Sequence, residues 1–61
     1  MCEARVVLKT EEGETTVMEE AAAVVREDGK WVVRSILGQR EEVEGELQVV
    51  DLVQNIIVLS G

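Results

Sequence analysis

The chain has no histidine, no proline, no phenylalanine or tyrosine, a single tryptophan and a single cysteine. Each absence removes a class of chemistry. Without histidine, serine–histidine and cysteine–histidine catalysis are excluded. One cysteine cannot form a disulfide within the chain, and with no histidine beside it no complete zinc site can be assembled from one copy. A lone aromatic, Trp31, gives no platform for stacking single-stranded nucleic acid. The longest apolar run is Ala21–Val25, far short of a transmembrane helix, so no membrane partner is expected. The first residues lack a basic segment followed by an apolar run, so no leader peptide is expected. No glycine-rich phosphate loop or dinucleotide fingerprint is present. A chain of 61 residues also has little room for an ordinary ligand pocket, and an enzyme is not expected.

Basic residues are scarce as well. Six stand against thirteen acidic ones, for a net charge of −7 and a pI near 4.3. Such a surface repels phosphate backbones, so no nucleic-acid partner is expected, and it draws cations weakly towards itself. A lone thiol stays reduced in the cytoplasm, which is the expected location. Residues 1–61 read as a single domain. A domain of this size buries only about 60% of its unfolded surface. With disulfides and an internal zinc site excluded, association is the remaining common stabiliser, and a homodimer is expected.

What is present is mostly strand pattern. From Glu3 to Thr10 apolar and polar residues alternate, with Ala4, Val6 and Leu8 on one face. Strand parity puts Cys2 on the Val6 face. Glu11-Glu12-Gly13-Glu14 reads as a solvated acidic turn without the spacing of a calcium loop. Residues 14–27 are ambiguous. Thr16 and Glu19 fit a capping box, and Val17, Met18, Ala21, Ala22, Val24 and Val25 fit one side of a helix. The same stretch fits a strand over 15–18, an acidic turn at Glu19-Glu20 and a second strand over 22–26. Asp28-Gly29 favours the strands, because it is a two-residue hairpin signal that needs a strand on either side.

Beyond the hairpin, Lys30 to Ser35 reads as a strand with Trp31 as a core or interface anchor. Ile36-Leu37-Gly38 turns the chain. Gln39 to Val43 reads as an exposed or edge strand whose charges discourage pairing with other chains. Gly45 marks a bend or bulge. Leu47 to Leu52 alternates as a further strand, Gln54-Asn55 turns, and Ile56–Leu59 is apolar on both faces, as in a buried strand or one that meets a partner. The sum is about six or seven short strands with frequent turns, an all-β small barrel or rolled antiparallel sheet of SH3/Sm-like or OB-like kind.

Met1-Cys2-Glu3 carries the candidate chemistry. Cysteine is small enough that removal of Met1 is expected. The mature chain would then start with an amine and a thiol on one residue, able to close a chelate ring on a metal, with the Glu3 amide nitrogen next in line. Two chains side by side would offer a set of sulfur and nitrogen donors. Such ligands select nickel, copper or zinc over calcium or magnesium, and a planar set suits nickel or copper. The competing reading is that Cys2 is a small apolar residue with no further role.

Several features together resemble the CooT family of small nickel-binding proteins. They are Met1-Cys2, Ala4-x-Val6, Val17-Met18-Glu19, the Asp28-Gly29 hairpin, the Leu37-Gly38 turn, Gly45, and Asp51-Leu52-Val53 followed by Ile56 to Leu59. The resemblance runs the length of the chain. It implies a small β-barrel homodimer that binds Ni(II) through the N-terminal cysteine, and a metallochaperone role in delivering nickel to carbon monoxide dehydrogenase. Of the side chains only Cys2 carries over as a ligand, with the backbone nitrogens of Cys2 and Glu3 as companions. Family members often have Phe near Leu37 and His in the last turn, where this chain has Gln54-Asn55. The residues alone leave two rival classes. One is an acidic β-module that docks on a partner without metal. The other is an RNA-binding barrel, which the charge and the lone aromatic argue against.

Overall fold

The structure is a computed structural model that describes residues 3–61. Six strands follow in order: β1 Ala4–Thr10, β2 Gly13–Glu27, β3 Lys30–Ser35, β4 Arg40–Val43, β5 Glu46–Asp51 and β6 Ile56–Ser60. They form one sheet in the order β4-β3-β2-β1-β6-β5. The first four strands are a meander, each turning back beside the last. β6 then returns on the far side of β1 and runs parallel to it, while β5 pairs antiparallel with β6. Among the described residues no helix is long and apolar enough to cross a membrane.

Two expectations need correction. The sheet is mixed, because the β1–β6 pair is parallel. It is also open, since its terminal strands β4 and β5 are not hydrogen-bonded to each other. It is nevertheless strongly curled. A flat sheet would hold its edges about 24 Å apart at roughly 4.8 Å per strand. Val43 and Glu46 end and begin the two edge strands with only Glu44 and Gly45 between them, a reach of at most about 11 Å at 3.8 Å per Cα step. The edges must therefore come together at that corner.

The ambiguous stretch is a single strand, neither a helix nor two strands around a turn. Its first half pairs with β1 and its second half with β3, and Ala21 stands opposite both Ala4 and Ser35. The register slips by an extra β2 residue in three places. Met18 to Ala21 spans three residues against two in β1, Thr16 to Met18 spans two against one, and Ala21 to Ala23 spans two against one in β3. Such bulges bend and twist a strand, and they let β2 belong to both halves of the curl. Glu19 and Glu20 sit in one of the bulges and are exposed.

The core lies inside the curl. Val6, Met18, Ala21, Val33 and Leu59 form it, with Leu8, Val17, Val24, Trp31, Val43 and Ile57 packed against it. Trp31 donates its ring N–H to the Gly45 carbonyl at 3.0 Å, tying β3 to the corner between the edges. The Asp28-Gly29 hairpin forms as expected, with both residues at positive φ, 51° and 77°. β4 is an edge strand, as its charges led one to expect, and its Arg40 pairs with Glu42 at 3.1 Å.

Candidate metal centre

The start of β1 follows the chain's one cysteine, the candidate ligand of the sequence. Met1 and Cys2 lie outside the described residues, and so does the expectation that Cys2 shares the Val6 face. Glu3 is described: it precedes β1 and is half-buried. What holds this end of the chain is the β5–β6 turn. The Arg5 N–H donates to the Asn55 carbonyl at 2.9 Å, and Arg5 stands opposite Ile56 in the parallel ladder. The turn is braced from within. One Asp51 carboxylate oxygen accepts the N–H groups of Val53 and Gln54, each at 3.0 Å. Asn55 takes a left-handed φ of 57°, a conformation asparagine tolerates better than most residues. Gln54-Asn55, the departure from the family pattern, thus serves the turn's backbone here.

On its other flank β1 meets the bulged middle of β2, where Ala4 pairs with Ala21. Glu3 therefore emerges between the β5–β6 turn and the bend of β2. The start of β1 is thus held on both sides, by the turn and by β2.

Other acidic groups do not compete as a soft-metal site. Among the described residues no group of three or more histidine, cysteine, aspartate or glutamate side chains is placed to hold a metal ion. Glu11, Glu12 and Glu14 are exposed, and Glu14 pairs loosely with Lys9 at 3.8 Å. Glu19 and Glu41, which nothing in the sequence brings together, do line one cleft of about 550 Å³ with Glu20, Arg40 and Met18. The curl causes this, because it folds the bend of β2 towards the start of β4. Carboxylates alone suit hard cations rather than nickel. Arg40 in the same cleft already holds Glu42 and, at 3.8 Å, Glu27. Sequence reasoning missed this cleft, and also the Arg5–Asn55 tether. Neither leaves a local signal, since each joins residues far apart in the chain.

Comparison with known proteins identifies the ensemble. The family model described as "CO dehydrogenase accessory protein CooT" matches residues 1–60. Among solved structures, the crystal structure of a protein provisionally named CooT from Carboxydothermus hydrogenoformans superposes with a TM-score of 0.86. The two share 22% identity over 97% of this chain and 95% of that one, a likeness of fold. No curated relative matches the sequence.

Proposed function

Because this chain belongs to the CooT family of CO dehydrogenase accessory proteins, we propose that it is a nickel metallochaperone that carries Ni(II) as cargo at its N-terminus. Cys2 supplies the thiolate. The nitrogen of Cys2 and the amide nitrogen of Glu3 complete the donors from each chain. Two chains in a homodimer bring two such sets together. The client is carbon monoxide dehydrogenase or its maturation machinery, and the setting is the cytoplasm. The protein acts as one domain and performs no catalysis itself.

The observation that carries this reading is the family match, which spans the N-terminal cysteine. The chemistry supports it. Cys2 is the only thiol and there is no imidazole, so a soft or borderline metal has one thiolate to bind. A centre with few ligands per chain leaves the metal open to attack by an incoming ligand. That favours transfer over storage. The tether from Arg5 to Asn55 fixes the start of β1, next to these donors in the chain.

The test is nickel titration of the untagged protein, read by ultraviolet-visible spectroscopy and native mass spectrometry. Thiolate-to-nickel charge-transfer bands are expected, with one metal per dimer, and Cys2→Ala should abolish them. A Cys2→Ala variant that binds nickel as tightly as the wild type would sink the proposal. A wild type with neither bands nor bound metal would favour the metal-free docking module.

A further inference from the structure

Residues 17–20 of β2 have a strand on one side only. They lie along β1, while β3 stops at Ser35, opposite Ala21. Beyond that point the open side of β2 meets the start of β4 across the cleft of about 550 Å³, more room than the length of the chain led one to expect. Where the cleft meets the core it is apolar, with Met18 buried and Val17 half-buried. Its rim is acidic, with Glu19 and Glu20 on β2 and Glu41 on β4, all exposed. Among the described residues none of these three carboxylates forms an ion pair. Arg40, the cation in the cleft, is already engaged by Glu42 and Glu27. Nor are the three grouped around one point where a single ion could sit. They are spaced to meet cations carried at separate points along a chain.

The β3–β4 turn bounds the cleft at one end through Gln39. It carries Ile36 and Leu37, which are 72% and 85% exposed. Turns favour small polar residues, and the backbone of this one is held without help from either side chain. The Ser35 hydroxyl accepts the N–H groups of Leu37 at 3.2 Å and Gln39 at 3.1 Å, and the Gly38 N–H donates to the Ser35 carbonyl at 3.1 Å. Two large apolar side chains therefore stand in solvent on a braced turn beside an acidic cleft.

We propose that this cleft docks an extended segment of a partner protein in which basic and apolar side chains alternate. Charge complementarity decides the class of partner. The acidic rim repels nucleic acid, anionic membranes and a second copy of this chain, which carries −7. It attracts a basic segment. Alternation follows from the extended form, because successive side chains point to opposite faces. One row lies on the carboxylates, and the other on Met18 and the turn at Leu37. The open side of β2 supplies main-chain partners, as in strand addition. Docking of this kind needs no metal, so it goes beyond the proposed function and stands apart from the Cys2 centre.

The test is a titration of the metal-free protein, in chelator, with a capped six-residue peptide of alternating arginine and leucine, followed in amide NMR spectra. Saturable shifts concentrated in residues 17–20 and 36–41 are expected, with a dissociation constant below about 1 mM that rises with added salt. Two charge-matched variants separate the cleft from the general field. Glu19→Gln with Glu41→Gln, and Glu11→Gln with Glu12→Gln in the β1–β2 turn, each remove two carboxylates from a chain of net charge −7. All four side chains are exposed, so the circular dichroism of the fold should be kept. The first pair should weaken binding about tenfold and the second less than about twofold. A peptide of alternating arginine and serine should bind at least about fivefold more weakly than the leucine peptide. Absence of binding at about 5 mM peptide, well above the expected constant, overturns the proposal. So do equal losses in the two variants, shifts centred on residues 11–14, or a serine peptide that binds as well, since the general field alone would then account for the attraction. The metal reading fails separately. A protein that binds the peptide but gives no nickel–thiolate bands keeps this inference and sinks the chaperone, and the reverse result keeps the chaperone and sinks this inference.

Discussion

A methyl group on Gly45 would collide with the Ser60 carbonyl, 2.9 Å from its carbon and 3.3 Å from the Gly61 Cα, at a backbone φ of 147°. Gly45 passes beneath the end of β6 while its own carbonyl receives the Trp31 ring N–H. Both neighbours of the added atom are backbone, so neither can rotate away. Gly13 is the control: its φ is 126°, but nothing lies within 4 Å of a Cβ there. Gly13→Ala should cost about 1–3 kcal/mol from strain alone. Gly45→Ala should cost about 4 kcal/mol or more. That approaches the whole stability of a 61-residue domain at roughly 0.05–0.15 kcal/mol per residue. Urea unfolding followed by Trp31 fluorescence measures both, and equal losses for the two variants would contradict the account. The sequence marks Gly45 as a bend, yet the reason for glycine lies with Ser60, fifteen residues on, and no local pattern encodes that contact. Cys2 is a candidate for the opposite reason: with no other thiol and no imidazole in the chain, composition alone singles it out.

At the scale of elements, local signals are legible in the sequence and long-range ones are not. Asp28-Gly29 fixed its hairpin because the turn chemistry is contained in two residues. The charged edge β4 and the glycine before β5 were equally local. β2 misled in an instructive way. Its buried residues Met18 and Ala21 stand three apart, which is helical spacing, but the cause is a bulge that inserts a residue into a strand. A strand bent around two partners can thus imitate a helix in its apolar period. The parallel pairing of β1 with β6 was also hidden, since alternation tells which face a residue takes and not which strand lies beside it. A pair of substitutions separates the two patterns. In a helix Ala21 and Ala22 would share the buried side; here Ala21 is 3% exposed and Ala22 is exposed. Ala21→Leu should overpack the junction of β1, β2 and β3 and cost about 1–3 kcal/mol. Ala22→Leu should fall within about 0.5 kcal/mol of the wild type. Similar losses for both in urea melts would restore the helix.

For the whole molecule, charge and shape pull against each other. Each chain carries −7, and the four ion pairs found among the described residues are at the surface, three of them at 3.8 Å. Such pairs contribute little, so the acidic excess is left as net self-repulsion. It acts within the monomer and more strongly between two copies brought together. An apolar seam between two copies must overcome that repulsion, whereas an interface held by opposite charges would profit from the field. Ionic strength tells these cases apart. The Debye length falls from about 30 Å at 0.01 M to about 3 Å at 1 M salt, so added salt removes the repulsion without weakening apolar contact. The proposed homodimer is therefore expected to tighten, by about tenfold between 0.01 M and 0.5 M sodium chloride, with the melting temperature rising in step. Sedimentation across a salt series in chelator checks the first and thermal melts at fixed protein concentration check the second. A dimer that loosens with salt would mean that complementary charges, rather than apolar contact, hold the two copies together.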